Sequence, residues 1–307
     1  MTDVDPEGTP DHTYRLHVGE NAATGVRRVI VGRLEKAAER LGEADGDALA
    51  EAVHGARKDL KKARAALRLV RAELGGDFGR ENRALRDAAR LLSAGRDAEA
   101  KLETLEDLVD GEPAAPPGAT ALWREALFAD RDRIVGGEAD RREEAIATIG
   151  AITARAPGWR LRHDGWKLLA PGLDAAYRDG REAFLALPAS PTFAEVHELR
   201  KRGKDLWYQV RLLRDAWQPV LEATVAEIHE FTDLLGDHHD LAVLAEDLEG
   251  RKEVEAADRE KLRALIDGHQ TRVLAEALGL GERLYAEKPK AFERRLRAYW
   301  RAWRSPA

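Results

Sequence analysis

Apolar side chains recur at three- and four-residue intervals along most of this chain, the spacing of helices that each bury one face. "VHGARKDLKKARAALRLVR", Val53 to Arg71, shows the pattern clearly. On a helix at about 100° per residue, Ala56, Leu60, Ala63, Ala66, Leu67 and Val70 gather on one arc. His54, Arg57, Lys58, Lys61, Arg64 and Arg68 gather opposite them, with Arg71 near the edge. Alternating β-branched runs are confined to "RRVIVGRL", Arg27 to Leu34, which lies inside a longer helical pattern. Ala, Leu, Arg and Glu, all strong helix formers, dominate elsewhere. The pattern predicts an all-α protein.

Breaks are expected at 42–47, 75–79, 93–95, 111–119, 155–159, 170–172, 188–192, 235–237 and 288–290, where Gly, Pro and small polar residues cluster. The longest loop is predicted at 110–118. "TFAE", Thr192 to Glu195, has the spacing of a capping box. A polar tail is expected over residues 1–14.

A second copy of the basic segment, "VHELRKRGKDLWYQVRLLR", runs from Val196 to Arg214, offset by 143 residues without a gap. Eight of the nineteen positions are identical, among them His54/His197, Arg57/Arg200, Lys61/Lys204 and Arg68/Arg211. The offset continues to Asp97/Asp240 and Glu106/Glu249. This predicts an internal duplication, with halves near 15–155 and 158–305 inside a single domain. In the second copy Leu199, Leu206, Val210 and Leu213 are expected inward. His197, Arg200, Lys201, Lys204, Tyr208 and Arg211 are expected outward.

Charge makes the rows informative. The 307-residue chain has a formal charge of −6, yet the first segment carries +6 and the second +4, leaving −16 for the rest. Solvated helix faces usually mix signs, because like charges at i,i+4 oppose the helix. Two equivalent one-sign rows therefore point to an anion. Their length suits an extended polyanion better than a compact phosphate. Inorganic polyphosphate, single-stranded nucleic acid and duplex nucleic acid are the candidates. The first row has no aromatic residue and the second has Trp207 and Tyr208, which tilts toward a ligand without bases to stack.

These residues identify a family. The pattern His-x-x-Arg-Lys-x-x-Lys, followed by further Arg and present once per half, resembles the CHAD family (conserved histidine α-helical domain). "LLSAGRDAEA" and "LDAAYRDGREAF" also look like family segments. The resemblance covers the chain after the polar tail and suggests a stand-alone member. It implies two four-helix-bundle halves about a pseudo-twofold axis, with a basic central groove or pore for polyphosphate. It implies a non-catalytic protein in the cytoplasm at polyphosphate granules. Carried over by position, the ligand-facing residues are His54, Arg57, Lys58, Lys61, Lys62, Arg64 and Arg68, then His197, Arg200, Lys201, Lys204, Tyr208 and Arg211. Arg27, Arg28, Arg178 and Arg181 resemble further basic positions. Asp205 and Trp207 depart from the family where the first copy has Lys62 and Arg64. Arg96 has His239 as its counterpart.

Catalysis and metals fare less well. There are no cysteines, so disulfides and thiol chemistry are excluded. "GDHHDL", Gly236 to Leu241, invites a metal, but neighbouring helical side chains point about 100° apart. Asp97 and Asp240 are read as helix N-caps or partners of nearby Arg. His54 and His197 have Arg or Lys, not carboxylates, at i+3 and i+4. No phosphate loop or hydrolase motif is present. No cofactor, metal or membrane partner is expected. Nucleic-acid binding stands as the alternative, and a metal-dependent enzyme acting on polyphosphate as a weaker one. The N-terminus lacks the basic and apolar regions of a secretory signal. "FERRLRAYWRAWR", Phe292 to Arg304, is expected to pack its aromatics on the core.

Overall fold

The computed structural model describes residues 13–46, 48–134 and 138–305, and among them the chain is helical throughout. Most of the predicted tail, and the side chain of Arg96, lie outside the described part. Twelve α-helices follow one another: α1 (Ala22–Glu43), α2 (Ala48–Leu69), α3 (Arg71–Leu74), α4 (Gly76–Leu91), α5 (Ala94–Val109), α6 (Pro117–Ile134), α7 (Glu138–Arg155), α8 (Trp166–Leu185), α9 (Phe193–Leu212), α10 (Gln218–Glu249), α11 (Ala256–Leu284) and α12 (Pro289–Arg304). "RRVIVGRL" lies within α1, as its flanking pattern requires.

Local chemistry sets several ends. The Asn21 side chain accepts from the Ala23 and Thr24 amides at the start of α1. Thr192 and Glu195 form the expected capping box on α9. Gly75, at φ 52°, turns the chain between α3 and α4. Two expected breaks are absent. Pro171 lies inside α8, and "LGD" at 235–237 lies inside α10. In α8 the apolar face of Leu168, Leu169, Leu173, Ala176 and Tyr177 is buried. That burial outweighs the cost of an interior proline, about 3 kcal/mol. In α10 no proline follows the glycine, and Phe231, Leu235, Leu241 and Leu244 are buried on either side of it.

Packing divides the helices into two apolar clusters. The larger is built around α1, α2, α4, α7, α8, α9 and α12, with Ile30, Leu34, Leu60, Leu67, Leu199 and Leu206 fully enclosed. The smaller joins α5 and α6 to the later part of α10 and to α11, around Leu105, Trp123, Leu244 and Ile266. The indole of Trp123 donates to Asp247 at 2.8 Å, and Asp247 also holds Lys101 and Arg251. Each cluster draws helices from before and after the 155–158 boundary, so the apolar packing does not part there.

One close approach fixes the middle of the molecule. A Cβ on Gly172 of α8 would lie 2.1 Å from the Leu69 carbonyl oxygen, so only glycine lets α8 sit against the end of α2. Above α2 and α9, the Tyr14 hydroxyl lies 3.3 Å from the carbonyls of both Lys62 and Tyr208. The Leu16 amide donates to the Leu212 carbonyl. The segment before α1 thus fastens the two basic helices to each other.

A cationic cluster where two basic helices cross

The wheel positions of both basic segments are borne out on their apolar sides. Ala56, Leu60, Ala63, Ala66, Leu67 and Val70 are buried, as are Leu199, Leu206, Val210 and Leu213. The helices then meet. Arg68 bonds to Asp205, the Gln209 amide reaches the Ala65 carbonyl at 3.5 Å, and Lys62 lies within electrostatic reach of Arg211. These contacts centre on Ala65 and Gln209, so the two helices cross there.

Beside this crossing, cations from both helices converge. Lys61 on α2 is solvent-exposed. Even so, crowding by protein atoms pulls its ammonium down to about 8, helped by Arg57, Arg200 and Lys204 and opposed by Asp240. Burial also lowers Lys204, and the Asp233 carboxylate 2.7 Å away opposes that. Arg57 donates to the Ala89 carbonyl at 3.1 Å and lies 3.7 Å from Asp97. Arg200 makes no ion pair among the described residues, and its Nε is buried without a hydrogen-bond partner. It packs against Gly236 of α10, where a Cβ would sit 3.1 Å from the guanidinium. Lys58 is exposed and His54 half-buried.

Histidine chemistry adjoins this cluster. The His197 ring stacks on Phe193 and lies 4.8 Å from the His239 ring. Burial, then His239, Lys201 and Arg200, hold its pKa below the usual value. His239 contacts Asp240 at 2.8 Å. His238 is buried, with its pKa lowered by that burial. The continuous α10 separates the two adjacent rings, as expected for helical neighbours. Neither Asp97 nor Asp240 is an N-cap. Asp97 sits in the first turn of α5 facing Arg57, and Asp240 lies mid-helix.

Other members of the rows are tied elsewhere. Lys62 pairs with Asp59, a 2% exposed carboxylate that also holds Arg33 and Arg40. Arg64 donates to Asn82, and its pKa falls to about 10 through burial and the nearby Arg68. Lys201 pairs with Glu198. Arg211 stands over the rings of Tyr14 and Trp207. Tyr208, expected outward, is only 7% exposed, because Tyr14 and α2 cover that side of α9. Arg27 donates to the Ala156 and Trp159 carbonyls, and Arg28 pairs with Glu20. Arg178 pairs with Asp174 and Asp179, while Arg181 donates to the Tyr285 carbonyl. The described contacts of Arg27, Arg28 and Arg181 fasten chain segments, Arg178 pairs within its own helix, and none of these contacts reaches the converging cations.

Sequence reasoning named two of the acids that flank the cluster, Asp97 and Asp240. The Arg partner expected for them is found at Asp97, which pairs with Arg57. Asp233 and Asp237 were missed. Each row reads as basic along its own helix, but α5 and α10 supply Asp97, Asp233, Asp237 and Asp240. Burial raises the Asp237 pKa, and Asp233, Asp240 and Asp107 raise it further. The 143-residue offset held one signal, since it already paired Asp97 with Asp240. Among the described residues no three His, Cys, Asp or Glu side chains converge as metal ligands do. No described helix is long and apolar enough to cross a membrane.

A helical fold with paired basic helices around a His-x-x-Arg-Lys-x-x-Lys pattern is the class that the sequence resembled. The family model for the CHAD domain matches residues 29–249, and the chain belongs to that family. Among the solved structures that resemble it, two cover most of this chain. One is PptA from Streptomyces chartreusis, at 17% identity and a TM-score of 0.62, with 87% of this chain and 100% of that chain covered. The other is the CHAD domain from the plant Ricinus communis, at 17% identity and a TM-score of 0.56, with 96% and 97% covered. At that identity the likeness speaks for the fold. No curated protein matches the chain.

Proposed function

We propose that this protein binds inorganic polyphosphate, without catalysis, along the cations that α2 and α9 bring together, and that binding places it at polyphosphate granules in the cytoplasm. The observation that carries the reading is the meeting of Arg57, Lys61, Arg200 and Lys204 from helices far apart in sequence. Lys61 and Arg200 keep no ion-pair partner among the described residues. Close cations of one sign depress one another, as at Lys61, and a polyanion relieves that repulsion. Element positions support a duplicated ancestry: α8 and α9 begin 144 and 145 residues after α1 and α2.

His54 and Lys58 extend the α2 row beside the cluster, and His197 and Lys201 extend the α9 row. Lys62, Arg64, Arg68 and Arg211 carry the chain along the crossing, while Tyr208 holds the helices together. Arg27, Arg28, Arg178 and Arg181 support the scaffold in this reading.

A competition titration tests it. Long-chain polyphosphate, single-stranded DNA and RNA are compared at equal phosphate concentration in the same salt. Polyphosphate should win, with affinity that grows with chain length and falls steeply with salt. Equal competition by the oligonucleotides would favour the nucleic-acid reading. Orthophosphate release on adding Mg²⁺ or Mn²⁺ would make the protein an enzyme.

A further inference from the structure

Away from the crossing, α12 carries a second row of one sign. Lys290, Arg294, Arg297 and Arg301 follow one another at spacings of four, three and four residues. On a helix that spacing keeps them within about 60° of one line, over roughly 16 Å. All four are exposed. No carboxylate pairs with any of them among the described residues. Glu293, the acid nearest the row on the helix, accepts from the Trp166 indole, and Glu287 pairs with Arg295. Like charges at these spacings oppose a helix. Burial of Phe292, Leu296 and Trp300 on the other side of α12 holds it in place. The family match ends at residue 249, so this row is no part of the paired motif.

The chemistry of the row fits one kind of ligand best. It is straight and of one sign, which suits a linear polyanion. Three of its four cations are Arg, whose guanidinium grips phosphate oxygens in pairs. Ala298 and Ala302, rather than aromatic residues, flank it on the exposed side, so it offers bases nothing to stack on. A helix that docks on lipid inserts its apolar face, and here that face is occupied by the core. We propose that α12 is a second binding track for inorganic polyphosphate, distinct from the cluster between α2 and α9. The proposal rests on the reading of polyphosphate as the ligand but uses none of the side chains of that cluster. With two tracks on one chain, a long polyphosphate that leaves one of them stays held by the other.

Titration of the full chain with long-chain polyphosphate over a range of salt tests this. The variant Lys290→Gln/Arg294→Gln/Arg297→Gln/Arg301→Gln is compared with one that removes the same charge elsewhere, Lys252→Gln/Lys261→Gln/Arg263→Gln/Arg272→Gln, after both are checked for native helicity. The α12 variant should bind roughly tenfold more weakly than the other, and its slope of log affinity against log salt should be shallower by about 3. The same loss should appear on top of Arg57→Glu/Arg200→Glu. In the unsubstituted protein, polyphosphate should protect Arg294, Arg297 and Arg301 from an arginine-directed dicarbonyl several-fold more than it protects Arg272. Equal affinity and slope in the two fourfold variants, or no such protection, overturns the proposal whatever Arg57→Glu/Arg200→Glu does. A loss from the α12 variant beside no loss from Arg57→Glu/Arg200→Glu leaves the α12 track standing and removes the cluster. Single-stranded RNA that competes as well as polyphosphate for α12 in the Arg57→Glu/Arg200→Glu protein makes the row a nucleic-acid surface and overturns the proposal too.

Discussion

The basic rows on α2 and α9 share their spacing and much of their sequence, but their neighbours differ. On α2, Lys58 and Lys61 reach solvent without a carboxylate partner among the described residues. On α9, Lys201 is paired with Glu198, Lys204 with Asp233, and the position equivalent to Lys62 is Asp205, which neutralises Arg68. Trp207 and Tyr208 are buried where α2 carries Arg64 and Ala65. A repeated motif sets where the charge can lie. The surrounding helices decide how much of it stays available. In this reading α2 holds the ligand, and α9 both holds it and anchors the fold, with Arg200 as its one unpaired contributor to the cluster.

The sharpest break of that comparison is the double variant Arg57→Glu/Arg200→Glu, which should lower polyphosphate affinity by ~1000-fold or more in a fluorescence titration at fixed salt. The single changes then separate the rows. Arg57→Gln and Arg200→Gln remove the same charge, but Arg57 already donates to the Ala89 carbonyl and pairs with Asp97. Arg200→Gln should therefore cost several-fold more, and equal losses would mean that only net charge matters.

A gain should follow from Asp205→Asn. It frees Arg68, and the nearby Arg64, from their carboxylate, so affinity should rise roughly three- to tenfold. Burial raises the Asp205 pKa, so its ionised form is already disfavoured in the fold. Arg68 is 28% exposed and can turn to water. The melting temperature should accordingly shift by only a few degrees. Unchanged affinity would place Arg68 outside the ligand path.

The smallest expected effect is in pH. Lys61 titrates near 8 in the free protein, and a bound polyanion favours its charged form. Affinity should therefore hold at pH 7 and decline a few-fold as pH rises through about 8 to 9. Calorimetry at pH 8 in buffers of different ionisation enthalpy should show uptake of a fraction of a proton on binding. Lys61→Arg should flatten both signals. Proton release on binding would contradict the role assigned to Lys61.

Much of this was legible in the sequence, because helix periodicity and capping are local. The apolar arcs on α2 and α9, the α9 capping box, the helical state of "RRVIVGRL" and the packing of Trp300 on the core were readable from spacing. The breaks expected at 170–172 and 235–237 failed for a non-local reason: helices packed on either side bury enough apolar surface to carry α8 and α10 through them. Tyr208 points outward on a helical wheel drawn for α9 alone, and it is Tyr14, from nearly two hundred residues earlier, that covers it.

The sequence by itself determined that there are two amphipathic helices, each with a cationic row in the same register. The crossing of those two helices was a matter for the tertiary structure alone. It selected Arg57, Lys61, Arg200 and Lys204 as neighbours and gave Arg68 to Asp205. It also brought aspartates from α5 and α10 alongside. Exposed charges are screened beyond a Debye length of about 8–10 Å, so the balance of charge at a site belongs to whichever helices pack there, and no single segment encodes it.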